Sequence, residues 1–402
     1  MSRLDYKRKK QMEIERQQRG ETGFVWFLKR HIGLIVLGIL VLLVSAAAIA
    51  VGLNPDFGAS LFHRGASSLY LDENTLFEMP YTAGETTVIK VQNNSVIVCT
   101  KEKIMSLSGA GKTEWELPVR LSNPLVSVAD GYILAADRGG KDIYLIHEGK
   151  VLLQTASAHN IINASVAADG RFVVVSDEPY YKGLVTVKDA KDNEVFVWHS
   201  GTAYIVDAVL GSDTDNLALA TVNTAPSSGG AGGLSGGVLL FHLYDTGPYQ
   251  THTFDASVVT NVFRAGKGFL AVTDRQCVGF GADGAQSWTY SFEGQTISKI
   301  STSGDLTVFA LESSGGRKSI SAVDNNGKVK CTIPNVPSLS FISVDADRIA
   351  YNNGNNITVC DSAGSELYSI QTAKSFTELL LFDGGKKAVG LTGTSLDILE
   401  IK

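Results

Sequence analysis

Several stretches of this 402-residue chain carry residue types at spacings that chemistry can use. Residues 108–113 read S-G-A-G-K-T, close to a loop whose glycine amides and lysine cradle phosphates. That pattern also needs a glycine where Ser106 stands and a helix behind it. The strand-like run T-E-W-E-L follows instead, so a turn is predicted. Residues 233–237, G-L-S-G-G, fit the G-x-S-x-G of a nucleophile elbow, in which a strained strand-to-helix turn exposes a serine. Ser235 lies in a Gly/Ser-rich stretch, 223–237, with the composition of a flexible linker. The seven histidines (31, 63, 147, 159, 199, 242 and 252) show neither H-E-x-x-H spacing nor a nearby C-x-x-C, so no zinc site is predicted. His147 and His199 read as solvated side chains at turns or on outer strands. Cys99, Cys277, Cys331 and Cys360 are isolated and read as buried thiols, with a bridge between Cys331 and Cys360 left open. Asp324-Asn-Asn-Gly and Asp361-Ser-Ala-Gly offer oxygens but lack the distal Glu of a calcium loop, and Asx turns explain them. No catalytic, cofactor-binding or metal-ligating residue is therefore predicted.

The elements that position these residues begin with an uneven charge distribution. Net charge is −6. Residues 1–31 hold nine Lys/Arg and four Asp/Glu, a balance of +5, and residues 54–402 carry −11. Between them, 32–53 are 22 residues with no charge and one polar side chain, Ser45. As a helix at ~1.5 Å per residue this run spans ~33 Å, enough for a ~30 Å hydrocarbon core. Lys29, Arg30 and His31 flank its N-terminal end, and Trp26 suits an interfacial anchor. The positive-inside rule predicts a basic, helical cytoplasmic tail (1–31), a transmembrane helix (32–53), a linker (54–66) and an extracytoplasmic domain (67–402) at the plasma membrane. The alternative is a cleaved signal peptide with Ala46, Ala47, Ala48 and Ala50 at its cleavage site, but the basic region and apolar run are long for one. Attraction to anionic lipid headgroups accounts for the basic tail.

Beyond residue 53 no amphipathic helical period appears. Short apolar or alternating runs recur instead, bounded by Gly, Asn and Asp. A four-strand unit can be laid down from residues 88, 124, 161, 204, 258, 297 and 339, and a three-strand remnant from 376. A bulky residue stands four positions after the last-turn glycine: Trp115 after Gly111, Leu153 after Gly149, Trp288 after Gly284, Cys331 after Gly327, and Tyr368 after Gly364. Trp198 takes the same place in the third unit, which lacks the glycine, and the fourth unit fits poorly, with Thr251 after Gly247. Four-stranded units at a period of about 40 residues predict a β-propeller, whose blades bury their faces by radial stacking. The large outer-strand residue is expected to lie against the neighbouring blade. The prediction is an all-β, eight-bladed ring, with seven blades as the alternative. Residues 67–81 are expected to supply the strand missing from the last unit.

The last-strand pattern, best at Gly111/Trp115 and Gly284/Trp288, resembles the tryptophan-docking repeats of quinoprotein-like (PQQ-type) propellers, a ring akin to WD40-like ones. The dehydrogenases of that group usually carry a vicinal Cys pair beside the quinone. The isolated cysteines here do not match it, so no cofactor is expected. A basic tail, one membrane segment and a propeller together also resemble an uncharacterised family of membrane-anchored propellers from Gram-positive bacteria, a domain of unknown function.

Recognition is expected on loops of the rigid scaffold. In this register the loops joining second and third strands gather on one face with the inter-blade connections. Candidate binding residues there are Arg138, Lys141, Glu178, Tyr180, Tyr181, Lys182, Asp274, Arg275, Arg317 and Lys318. The Tyr180–Tyr181 pair is the sharpest feature, because exposed tyrosines are interface-like. The acidity of residues 54–402 disfavours nucleic acid, leaving a protein or cell-envelope polymer as the expected partner. The expected function is a non-enzymatic scaffold or sensor. The alternative is a propeller enzyme (lyase, hydrolase or quinone-dependent dehydrogenase) using Lys90, Asp169, Asp207, Lys299 or Asp345 at the central channel.

Overall fold

The computed structural model describes residues 5–11, 13–14, 74–81, 86–224, 233–354 and 356–401. The chain forms two units, Met1–Leu71 and Asp72–Lys402. In the first, residues 5–11 and 13–14 are helical and exposed, as a charged tail should be. The predicted membrane segment and linker, 32–66, lie outside the described residues. Among the described residues no helix is long and apolar enough to cross a membrane.

The second unit is eight four-stranded antiparallel sheets. Residues 88–118, 124–156, 161–200, 204–254, 259–291, 296–336 and 342–371 form blades 1 to 7. Residues 378–400 supply three strands of blade 8, and the N-terminal strand Thr75–Pro80 completes it by pairing with Ser395–Glu400. This is the eight-bladed ring with the expected closure; the seven-bladed alternative does not hold.

Sequence pattern explains the layers. Second strands such as Phe172–Ser176 are apolar on both faces because a neighbouring blade covers each. Outer strands such as Gln286–Ser291 alternate exposed and half-buried, since only one face meets a neighbour. Eight apolar clusters result, one at each junction between adjacent blades, including blade 8 against blade 1.

The bulky outer residue does face the neighbouring blade, and its partner is a glycine in that blade's last turn. Phe77 covers Gly111, Trp115 covers Gly149, Tyr249 covers Gly284, Trp288 covers Gly327, and Cys331 covers Gly364. A Cβ on Gly149 would lie 2.7 Å from the Trp115 ring, and one on Gly327 2.6 Å from Trp288. Both glycines also sit at φ of 72° and 79°, where a side chain is strained. Trp288 further donates its indole N–H to the Asn325 carbonyl at 2.8 Å. The fourth unit's residue is thus Tyr249, not Thr251. Trp198 does not cover Gly247 of the next blade, which has open space around it, and packs on Phe241 instead, with ring centres 5.1 Å apart.

Several local expectations change. Residues 108–113 form a hairpin turn between strands, with no helix. Ser235, Gly236 and Gly237 are not linker but the start of strand Ser235–His242, paired with residues 221–223. Glycine is needed there because a Cβ on Gly236 would lie 2.6 Å from the Val259 amide nitrogen. All four cysteines are free and buried, so Cys331 and Cys360 share a core without a bridge. The Asp324 and Asp361 turns are Asx turns, each carboxylate accepting from two turn amides.

Candidate functional site

The connector face is built by backbone pairing. Inter-blade segments donate to the loops between second and third strands: Leu121 N–H to Lys101 at 2.9 Å, Ser157 to Lys141 at 2.8 Å, Phe292 to Arg275 at 2.9 Å. A carboxylate ending the second strand reinforces this. Asp137 accepts from the Ser122 and Asn123 amides, Asp177 from Asn160, and Asp274 from Val258 at 2.9 Å and from the Ser257 hydroxyl at 2.6 Å. Asp274, one of the expected binding residues, is thus also a staple of the fold through one carboxylate oxygen.

A cluster of charged and aromatic side chains on this face lies where blades 2 and 3 meet. Lys141, His159, Asn160, Asp177, Glu178 and Pro179 line a shallow cavity of about 400 Å³. Glu178 is its pivot. One carboxylate oxygen lies 2.5 Å from His199 Nδ1, the other 4.0 Å from His159 Nε2. The Tyr181 ring leans on His199, centroids 4.8 Å apart. Lys182 donates to the Tyr204 hydroxyl at 3.1 Å, and its ammonium lies 4.7 Å from that ring's centre. Beside them Tyr180 is fully exposed, at a left-handed φ of 75° that bulky residues avoid.

The ten expected residues are not one site. Lys141, Glu178, Tyr180, Tyr181 and Lys182 come together at this corner. Arg138 shares the Lys141 loop, but its charge acts on Asp207 in the channel wall. Arg275 stands exposed 3.8 Å from Asp274 on blade 5. Arg317 and Lys318 belong to blade 6.

Inner strands neighbour one another around the central channel. In blades 3 to 6 each carries a β-bulge at the same place, followed by Asn163, Asp207, Asn261 or Lys299. Asp207 accepts from Asn163 Nδ2 at 2.7 Å and from the Ala208 and Val262 amides at 2.9 and 3.0 Å. Burial pushes its carboxyl up to about 6, while these donors, Asn261 and the Arg138 charge act in the opposite direction. Asp345 accepts from the Gly385 amide at 2.9 Å. Asp169 pairs with Arg171 at 2.6 Å in a turn on the face opposite the connectors. Of the five channel candidates, three are thus committed to the fold. Lys90 and Lys299 remain, lining one cavity with Glu378.

The family model for "Family of unknown function (DUF5711)" matches residues 70–401. The chain belongs to this family. No curated protein sequence matches it significantly. Its fold is similar to BamB from Moraxella catarrhalis (TM-score 0.53, 12% identity, covering 81% of this chain and 98% of that one). It is also similar to the computationally designed Ika8 protein (0.60, 10%, 82% and 100%) and to the C-terminal WD40 domain of Sif2 (0.56, 12%, 81% and 99%). At such identities the likeness extends to the fold alone.

Sequence reasoning missed His159, His199, Tyr204 and Glu378. His199 is not simply solvated, since it holds Glu178, and His147 stacks on Tyr132 with centroids 4.1 Å apart. The available signal was position: His199 stands one residue before the end of an outer strand, beside the loop carrying Glu178. Among the described residues, no three His, Cys, Asp or Glu side chains are grouped as a metal site. Burial raises the Cys99 and Cys360 thiols to about 12, far from a reactive thiolate.

Proposed function

We propose that this chain is a single-pass plasma-membrane protein whose propeller stands outside the membrane as a non-enzymatic binding module, a scaffold or sensor for an envelope protein. The blade 2–3 corner carries the reading. Tyr180 keeps its whole side chain in solvent on a backbone conformation it does not favour, beside Tyr181, Tyr204 and Lys182. A tyrosine with no packing role in its own fold offers large, rigid contact area to a partner at small entropy cost. The engagement of Asp169, Asp207 and Asp345 by the fold supports binding over catalysis. The membrane assignment is supported by the charge-free run 32–53 and its basic flank.

A photo-crosslinking amino acid at position 180, in cells that make the protein, tests the corner. A discrete adduct is expected there and none from position 326, a turn on the opposite face. Identical adduct patterns from both positions overturn the choice of face. For the anchor, carbonate extraction is expected to leave the chain in the membrane pellet, and protease added to intact cells to cut the propeller. Release into the supernatant overturns it.

A further inference from the structure

The central channel presents a second set of charges, independent of the corner. Three inner strands contribute: Val88–Gln92 of blade 1 carries Lys90, Thr296–Ser303 of blade 6 carries Lys299, and Glu378–Phe382 of blade 8 begins with Glu378. All three line one cavity of about 530 Å³, within the size range of small-molecule sites. The lining runs from Thr377 and Phe341, which precede inner strands, to Thr302 and Val344 near the far ends of theirs, so the cavity follows the channel wall.

Elsewhere in the domain, partly buried charges are held in close pairs. Lys374 sits 2.6 Å from Asp397 and 3.0 Å from Glu78, and Arg171 sits 2.6 Å from Asp169 and 3.1 Å from Asp215. Among the described residues, the side chains of Lys90, Lys299 and Glu378 make no hydrogen bond and no ion pair within 4.0 Å. They nevertheless face each other: burial raises the Glu378 carboxyl, and the lysine charges of Lys90 and Lys299 both pull it back. The lysines are held too far from the carboxylate to neutralise it, leaving a gap with a net charge of +1. Glu378 and Lys90 are half-buried, and charged groups at a partly desolvated wall are ordinarily paired. An occupant that pairs with all three has an oxyanion for the lysines and a hydroxyl or ammonium donor for Glu378. Phe263, Phe341 and Leu380 supply apolar wall for its carbon atoms.

We propose that the channel binds a small oxyanion-bearing metabolite, a phosphate ester or carboxylate carrying a hydroxyl or amino group, between Lys90, Lys299 and Glu378. Calorimetric titration of the full-length chain in mild detergent tests this, with glycerol 3-phosphate and malate as probes for the two oxyanions and glycerol as the uncharged control. Saturable binding of at least one anionic probe is expected, and none of glycerol. Lys90→Gln and Lys299→Gln are each expected to weaken it at least ten-fold, with Lys299→Arg restoring most of it. Glu378→Gln is expected to weaken the hydroxylated probe while inorganic phosphate binds as well or better, because a repelling charge is gone. Arg317→Gln with Lys318→Gln removes two rim charges and is expected to change nothing. Failure of both anionic probes to saturate, or wild-type affinity in the lysine variants, overturns the proposal. Lys299 is exposed, so its variants decide the matter even if Lys90→Gln disturbs folding.

Discussion

Two places in the ring bring lysine and carboxylates together, with opposite results. In the closing blade, Glu78 and Asp397 stand directly opposite on paired strands, and Lys374 from the preceding connector bridges them. In the channel, Lys90 and Lys299 face Glu378 across a gap. The closing site is sealed: Asp397 has no exposed surface. There a charge unmatched by a partner would cost several kcal/mol, so the cation must be close. Burial still raises the Asp397 carboxyl despite Lys374, since one cation serves two carboxylates. Burial opposes the Lys374 charge as well, but the bonds to Asp397 and Glu78 outweigh it and raise the ammonium. The channel wall is less buried, with Lys90 and Glu378 half-buried and Lys299 exposed, so the separation costs less there. Pairing serves closure in one place, and its absence leaves room in the other.

The largest expected effect comes from breaking the closed site. Lys374→Met leaves two facing carboxylates without a cation and should cost roughly 3–5 kcal/mol in denaturant unfolding. Hydrogen exchange should quicken first in Thr75–Pro80 and Ser395–Glu400. Unchanged stability would mean the bridge plays no part in closure.

Asp207 comes next, as a buried carboxylate held by amides instead of a cation. Asp207→Asn turns an NH₂ toward the Val262 or Ala208 amide and should cost about 1–3 kcal/mol. It should also remove a pH dependence. A carboxyl raised to about 6 stabilises the fold fully below its unfolded value near ~3.9, and that contribution is lost as pH rises through 6. The wild-type chain should therefore lose stability between about pH 4 and 6 relative to the variant, measured by urea midpoints across that range.

Smaller effects are expected in the channel, with the opposite sign. The Glu378 carboxyl is also raised, so its contribution is lost as pH rises and the ion burdens the fold at neutral pH. Glu378→Gln should raise the thermal midpoint slightly at pH 7, by under ~1 kcal/mol in stability, with the gain vanishing near pH 4. Lys299→Gln should change stability by less than ~0.5 kcal/mol, because an exposed, unpaired charge contributes little. A large loss in either channel variant would erase the distinction between the two sites.

Much of the scaffold was legible because its signals are local. Strand alternation and turn glycines repeat within a few residues, and they placed all eight units and the closing strand. The connector face followed from strand order. The glycine and tryptophan spacing was visible, but its meaning was not. Trp115 belongs with Gly149 in the next blade, not with Gly111 four residues before it, because ring stacking brings the outer strand over a neighbour's turn. Asp274 is legible as a rim charge, but nothing local reveals that it also caps the Val258 amide. Glu178 and the tyrosines could be placed together because they share one loop, whereas the contact of His199 with Glu178 depends on pairing with the preceding loop.

The sequence by itself determined an all-β ring of eight units, its closure by an early strand, and the uneven charge of its two ends. Only the tertiary structure decided which side chains meet around that ring. Lys90, Lys299 and Glu378 come from blades 1, 6 and 8, and Lys374, Glu78 and Asp397 from opposite ends of the domain. No residue period records such meetings, because they are set by the angle between blades once the ring has closed.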